Sequence, residues 1–258
     1  MFDPSAAAAA LLELRRGRQQ TRGLPASIAP RSEADGAEAQ LALARLVGAV
    51  PPAGFKIGAT GKRMQAYLGL SGPAGGFMAA AGLHASGATL HFADFLNPGV
   101  ECEVAVRLAR DLPAAACSPA QAAAAVGELM AGIEIVENRY HDLVAVGVPT
   151  MIADQVFHAA AVVGAPGADW RGLDVPALTG RMSVDGEVRE QGVASDLLGH
   201  PMNCLAWLAG SAVAAAFGGL KAGQVIMLGS VTPPIWLDRP AKVAVEFAPL
   251  PPVTVTLD

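Results

Sequence analysis

Apolar and polar positions alternate along residues 100–108. Val100, Cys102, Val104, Val106 and Leu108 fall on one face, and Glu101, Glu103, Ala105 and Arg107 on the other. This is the two-residue period of a strand with one face in a core. Shorter signals of the same kind predict strands at residues 55–57, 132–136, 225–228, 243–247 and 253–257. Asp185-Gly186, set between Met182-Ser183-Val184 and Glu187-Val188-Arg189, predicts a hairpin, because such a two-residue turn needs positive φ at both positions. Helical patterning covers residues 6–16 and 37–47, with a loop over 24–35 marked by Pro25 and Pro30 and followed by Gly36. Residues 118–130 predict an Ala-rich helix with Ser118 as N-cap and Pro119 at its first position. His200-Pro201 opens a buried helix. Residues 69–87, rich in Gly, Ala and Pro, read as a long loop, and residues 155–163 fit strand and helix equally. The pattern is α+β: a small, mostly helical N-terminal part over residues 1–53 and a β-rich body over 54–258.

Composition narrows the class. Of 258 residues, 52% are hydrophobic and 16% charged, which supports a packed core and excludes a disordered chain. The formal net charge is −5 and no Lys/Arg stripe forms, which argues against nucleic acid as a partner. Cys102, Cys117 and Cys204 lack the spacing of a disulfide framework or zinc site and fit a reducing cytoplasm. Near the N-terminus Arg15 and Arg16 follow the apolar run, the reverse of a secretory signal. Residues 202–220 carry no charge and approach the length of a membrane span. With Asn203 and Ser211 among many Ala and Gly, they read as a buried helix and turn, so no membrane is expected.

The candidate chemistry is carboxylate chemistry. Glu101 and Glu103 point to the same side of a strand, roughly 6–7 Å apart. From that pair alone a solvated face is the better reading. Glu134 changes the balance, because it sits inside the apolar run Ala131-Gly132-Ile133-Glu134-Ile135-Val136, where a glutamate needs a partner. Three carboxylates on two core strands suggest one site for a hard divalent ion. Lys56, in Gly54-Phe55-Lys56-Ile57-Gly58, could neutralise an anionic substrate, although alone it reads as an edge-strand lysine reaching water. Asp154 follows an apolar stretch and could orient a catalytic water, or cap a helix over 155–163. Gly58-Ala59-Thr60-Gly61-Lys62 imitates a phosphate loop, but Lys56 stands where that motif needs glycine. His84, His91, His141, His158 and His200 lack metal-ligand spacing and read as surface or structural residues.

In order along the chain these features resemble the 2-keto-4-pentenoate hydratase group of the fumarylacetoacetate hydrolase superfamily, which also contains 4-oxalocrotonate decarboxylases. The matching pieces are Gly54-Phe55-Lys56-Ile57-Gly58-Ala59-Thr60, Pro98-Gly99-Val100-Glu101-Cys102-Glu103, Ile133-Glu134-Ile135-Val136-Glu137-Asn138-Arg139, Ala153-Asp154, Leu198-Gly199-His200-Pro201, and Gly229-Ser230-Val231-Thr232. The resemblance implies a mixed β-roll catalytic body over 54–258, a homo-oligomer and a small α-keto acid substrate from aromatic-compound catabolism. It implies that Glu101, Glu103 and Glu134 hold Mg²⁺ or Mn²⁺. Lys56 would act at the carboxylate and keto end, and Asp154, Ser230 and Thr232 would line the pocket, Asp154 in a catalytic role. Hydration of a 2-hydroxy-2,4-dienoate to a 4-hydroxy-2-oxo acid is the activity implied. Decarboxylation of the 4-oxalocrotonate type is the runner-up, with acylpyruvate C–C hydrolysis or a non-catalytic relative further back. Residues 24–40 contain no histidine, which counts against the hydrolase. One departure is Gly76-Phe77-Met78-Ala79-Ala80-Ala81, where hydratases of this group carry an acidic pair. It puts the tail pocket in the loop 69–87.

Overall fold

The computed structural model describes residues 2–258, the side chain of Arg63 excepted. Its helices are α1 (Pro4–Gly17), α2 (Glu33–Leu46), α3 (Lys62–Leu68), α4 (Pro119–Ala125), α5 (Val148–Ala153), α6 (Pro201–Ala209) and α7 (Ala212–Ala216). Its strands are β1 (Gly54–Gly58), β2 (Ala74–Met78), β3 (Leu83–Ala85), β4 (Ala88–Leu90), β5 (Pro98–Leu108), β6 (Val126–Glu137), β7 (His158–Val163), β8 (Thr179–Val184), β9 (Glu187–Val193), β10 (Val225–Ser230), β11 (Ile235–Trp236), β12 (Ala241–Phe247) and β13 (Val253–Leu257). A large mixed sheet runs β2-β1-β10-β5-β6-β7-β3, with β11 also paired to β5. A smaller sheet runs β4-β13-β12-β8-β9.

The alternation along β5 decides how the sheets face. Val100, Cys102, Val104 and Val106 join Val243, Val245, Phe247, Val253 and Val255 of the small sheet in one buried cluster. Each such side chain contributes roughly 1.5–3 kcal/mol when fully buried. The same cluster takes in Ala8 and Leu11 of α1 and Ala37 and Leu43 of α2. The opposite face of the large sheet carries Met78, Ala105, Met130, Ala161 and Met227. Neighbours in register point to the same side, so Lys56, paired with Met227, shares that face with Glu103 and Glu134.

Local chemistry explains most boundaries. Asp3 caps α1, accepting from the N–H groups of Ser5 and Ala6, and Ser32 caps α2 by accepting from Asp35 N–H. The start of α2 at Glu33 therefore lies inside the stretch expected as loop; the Ser32 cap overrides Gly36. Ser118 and Gln121 form a reciprocal capping box on α4. That helix stops at Ala125, although helix was expected to 130. Residues 126–130 belong to β6, which pairs with β5 from Val126 to Glu137; long pairing outweighs the helix preference of Glu128, Leu129 and Met130. The expected loop 69–87 contains β2 and β3. Gly75 and Gly76 masked β2, and Gly76 is needed there because a Cβ would lie 2.6 Å from the Gln155 carbonyl oxygen. The ambiguous residues 155–163 resolve into a tight turn followed by β7. The expected hairpin forms between β8 and β9, with Asp185 at φ 53° and Gly186 at φ 85°. Residues 202–220 contain α6 and α7, and among the described residues no helix is long and apolar enough to cross a membrane.

Candidate active site and metal centre

Pairing of β5 with β6 sets Glu101 directly opposite Glu134 and Glu103 opposite Gly132. Glu103 and Glu134 are fully buried and Glu101 is half-buried. Each of the three offers an oxygen, and these oxygens lie within 4.8 Å of one another. Glu103 Oε2 accepts from the N–H of Gly229 at 2.9 Å. That donor comes from an irregularity in β10, where the register with β5 shifts between Met227 and Ser230. Gly229 has φ 110°, and a Cβ there would press to 2.6 Å on Thr60, so glycine is required.

Glu134 is held from one side only. Its Oε1 lies 3.0 Å from Lys56 Nζ and 2.9 Å from His158 Nδ1. Lys56 Nζ also donates to the Val156 carbonyl at 2.8 Å. An ammonium has three donors, so one N–H of Lys56 remains. Glu134 Oε2 and Glu103 Oε1 are buried without a hydrogen-bond partner among the described residues. Two orphaned carboxylate oxygens are costly unless a cation meets them.

The titration of the cluster shows the same imbalance. Burial, then the charge of Glu134, pushes the Glu101 carboxyl up to about 7. Burial, Glu134 and Glu101 push Glu103 well above the usual carboxylate range. Burial alone would raise Glu134 as well, but Lys56 and His158 outweigh it and hold it down to about 2. Burial pushes His158 below the usual histidine range. The neutral ring then donates its Nδ1–H to ionised Glu134 and leaves the buried Nε2 without a partner. Three carboxylates facing one lysine fit a hard divalent cation by donor type and charge. His158 was not legible as a site residue in the sequence, because its partner Glu134 lies 24 positions away on the neighbouring strand.

Two cavities open onto this cluster. The larger, about 930 Å³, is lined by Thr60, Lys62, Glu101, Ser195, Ser230 and Thr232 among others. The smaller, about 190 Å³, is bordered by Lys56, Glu101, Val156 and Phe157. Gly58, Ala59, Met64, Tyr67 and Glu101 border both. Ser230 reaches the larger cavity, but its hydroxyl donates to the Thr232 carbonyl at 2.7 Å and so fixes the local turn. Thr232 Oγ1 is buried with no partner among the described residues. Residues 69–87, expected to form the tail pocket, border neither cavity; β2 is tied into the sheet instead, and Ala79-Ala80-Ala81 stand outside the lining.

The structure does not bring Asp154 to either cavity. Its Oδ1 accepts from Arg15 at 2.7 and 3.0 Å, and its Oδ2 accepts from Arg139 Nε at 2.9 Å and from the Tyr140 hydroxyl at 3.0 Å. Arg139 pairs in turn with Glu137. Burial would raise Asp154, but Arg139 and Arg15 outweigh it and hold the carboxyl below its usual range. A carboxylate so held is an anchor, not a proton carrier. Nor does its side chain cap a helix.

Between the cluster and this anchor lies a strained turn. Gln155, Val156 and Phe157 have φ of 56°, 50° and 67°. Left-handed backbone costs of the order of 1–3 kcal/mol per non-glycine residue and is most unusual for a β-branched one. The turn aims the Val156 carbonyl at Lys56. It is secured by Gln155 Nε2 donating to the Phe77 carbonyl at 2.6 Å.

The fumarylacetoacetate (FAA) hydrolase C-terminal family matches residues 62–257. The chain is 33% identical over 180 residues to a 2-keto-4-pentenoate hydratase of Burkholderia vietnamiensis (strain G4 / LMG 22486), covering 70% of this chain and 68% of that one. It is 29% identical over 183 residues to a 4-oxalocrotonate decarboxylase of Pseudomonas putida, covering 69% and 67%. The crystal structure of 4-oxalocrotonate decarboxylase from Pseudomonas putida G7, complexed with magnesium and adipate, superposes with a TM-score of 0.88 at 23% identity, over 99% of this chain and 97% of that one. The chain belongs to the fumarylacetoacetate hydrolase C-terminal family.

Proposed function

We propose that the protein is a lyase that uses a divalent metal to hydrate a 2-hydroxy-2,4-dienoate of the 2-keto-4-pentenoate type. The observation that carries this reading is the meeting of Glu101, Glu103 and Glu134 oxygens within 4.8 Å, beside a buried lysine. Identity of 33% to a named hydratase supports it.

Glu101, Glu103 and Glu134 would hold Mg²⁺ or Mn²⁺. Such an ion, when bound, supplies Lewis-acid polarisation of a chelated carboxylate and 2-oxo oxygen. The chain's own residues do the rest. Lys56 keeps Glu134 ionised and turns its remaining N–H toward the anionic end of the substrate. Thr232 Oγ1 offers a hydrogen bond from the wall of the larger cavity. Moving the enol proton of 2-hydroxypenta-2,4-dienoate to C5 gives a 2-oxo-3-enoate. Addition of water, hydroxyl at C4 and proton at C3, then gives 4-hydroxy-2-oxopentanoate. The larger cavity, wide and open beside Glu101, admits that water. Asp154 has a positioning role, since it anchors the chain just before the turn that carries the Val156 carbonyl.

The test is UV-monitored turnover of 2-hydroxypenta-2,4-dienoate by chelator-treated protein, with and without added Mg²⁺. Metal-dependent loss of the diene signal with 4-hydroxy-2-oxopentanoate as product is expected. Metal binding with no turnover would overturn hydration of this substrate and direct the search to decarboxylation of 2-oxohex-3-enedioate.

A further inference from the structure

Glu134 stands in the carboxylate cluster, and nothing in its own strand decides which of its two oxygens faces the other glutamates. The last torsion of a glutamate side chain is broad and two-fold. A contact to a single rotatable donor therefore leaves the carboxylate free to turn. Lys56 Nζ is such a donor: its hydrogens sit at the end of a flexible stem, and one of them goes to the Val156 carbonyl at 2.8 Å.

A second contact to the same oxygen comes from His158 at the start of β7. Its Nδ1 lies 2.9 Å from Glu134 Oε1, the atom that Lys56 Nζ meets at 3.0 Å. An ionised carboxylate only accepts, so Nδ1 carries the hydrogen. The ring is rigid and buried, and a local departure in the sheet brings it there. Glu134 pairs with Ala161, and Ile135 with Ala160. Regular alternation would then put Ala159 on the Glu134 face and His158 on the other. The register shifts between Ile135 and Val136, so His158 and not Ala159 pairs with Val136, which shares the face of Glu134. One extra residue is taken up at that shift, and the imidazole turns toward Glu134. The His158 carbonyl accepts from Arg15 Nη1 at 3.4 Å and from Arg139 Nη2 at 3.5 Å, which ties the same residue to the neighbouring anchor.

With Oε1 held from two directions, Oε2 is the oxygen of Glu134 left over, and it has no hydrogen-bond partner among the described residues. Glu103 is divided in the same way: its Oε2 accepts from Gly229 N–H at 2.9 Å, and its Oε1 has no partner among the described residues. Each of these buried carboxylates has one oxygen bonded within the protein and one that is not. We propose that His158 is a positioning residue of the metal centre: its Nδ1–H fixes Glu134 Oε1 against rotation and so presents Oε2 to the cation. The inference rests on the metal-site reading given above and deepens it.

The experiment is calorimetric titration of chelator-treated wild-type protein, His158→Leu and His158→Asn with Mg²⁺ alone. Leucine and asparagine both branch at the γ carbon, as imidazole does, but only asparagine can place an N–H where Nδ1 stands. His158→Leu should bind Mg²⁺ roughly 10–100-fold more weakly than wild type, and His158→Asn should recover most of that loss. Absence of Mg²⁺ binding by the wild type overturns the metal reading, and this inference with it. Wild-type binding matched by His158→Leu overturns this inference alone. A loss of equal size in His158→Asn assigns the effect to the packing of the ring and overturns it as well. A measurement on the unaltered protein stands apart from how either variant folds. In a proton–nitrogen correlation spectrum of protein labelled at histidine nitrogen, His158 Nδ1 should keep its hydrogen before and after Mg²⁺ is added. An Nδ1 without hydrogen in the loaded protein excludes the bond to Glu134 and refutes the proposal.

Discussion

Two groups of buried charges lie within a few residues of each other, and they are built on opposite principles. The first contains Glu101, Glu103 and Glu134 against Lys56, with neutral His158 alongside. It is short of positive charge, and two of its oxygens have no partner. The second contains Arg15 and Arg139 against Asp154 and Glu137, closed by the Tyr140 hydroxyl. Its charges balance, and every side-chain oxygen of Asp154 is used. Burial is the same in both, so burial does not mark the site. The distinguishing property is incompleteness: the saturated cluster clamps α1 to the body of the protein, and the unsaturated one has the donor set of a divalent-cation site.

The comparison can be broken most forcefully at Arg139. Arg139→Met leaves buried Asp154 and half-buried Glu137 with too few partners, and a loss of about 3–5 kcal/mol in unfolding free energy is expected. Denaturant unfolding of the metal-free variant measures it; a loss under 1 kcal/mol would show that the cluster is not a clamp. Glu103→Gln should do the reverse. Removal of outer partners of a metal site costs 10–100-fold in affinity, and loss of a ligand should exceed that, weakening Mg²⁺ or Mn²⁺ binding by more than about 100-fold and abolishing metal-dependent turnover. The metal-free fold should keep its stability, because the fold already favours the neutral form of Glu103 and the amide oxygen can still accept from Gly229 N–H. Undiminished metal affinity in calorimetry would refute the ligand set.

The smallest effect is on pH. Glu101 is raised from the ordinary carboxylate range to about 7, so its neutral form is favoured by the fold. Its contribution to the stability of the metal-free protein is therefore complete below the ordinary carboxylate pKa and is lost as pH rises through 7. Glu134, held down at about 2, does not change in this interval. A cation must displace the Glu101 proton below pH 7 and the proton of the strongly raised Glu103 as well, so Mg²⁺ affinity should fall at least about fivefold from pH 7 to pH 6. Glu101→Gln should reduce that dependence to the part that Glu103 contributes. A wild-type affinity independent of pH over 6–8 would mean that Glu101 is already ionised before metal arrives.

Some of this was written plainly in the residues. The alternation of β5 placed Glu101 and Glu103 on one face, and a glutamate inside Ala131-Gly132-Ile133-Glu134-Ile135-Val136 had to find company. Asp185-Gly186 specified its hairpin by turn chemistry alone. What stayed hidden depended on distance along the chain or on competition between signals. The facing of Glu101 and Glu134 is set by strand register. Arg15 reaches Asp154 across 139 positions, and no local pattern announces that bond, so Asp154 read as a site residue when it is an anchor. His158 gave no sign of its partner for the same reason. Residues 126–130 carry a helix-compatible composition that the β5 partner overrides, and β2 was concealed by the glycines that let it pass under Gln155.

The left-handed turn at Gln155, Val156 and Phe157 also divides the molecule for the purposes of change over time. The carboxylates of the cluster belong to long paired strands, where a substitution disturbs many neighbours at once. The walls of the smaller cavity belong partly to a three-residue turn whose shape is held by backbone carbonyls and by Gln155. Replacement of Val156 or Phe157 therefore reshapes the smaller cavity without touching the side chains of the carboxylate cluster. A lineage built on this scaffold can remodel that cavity at two positions and inherit the paired strands of the cluster unchanged.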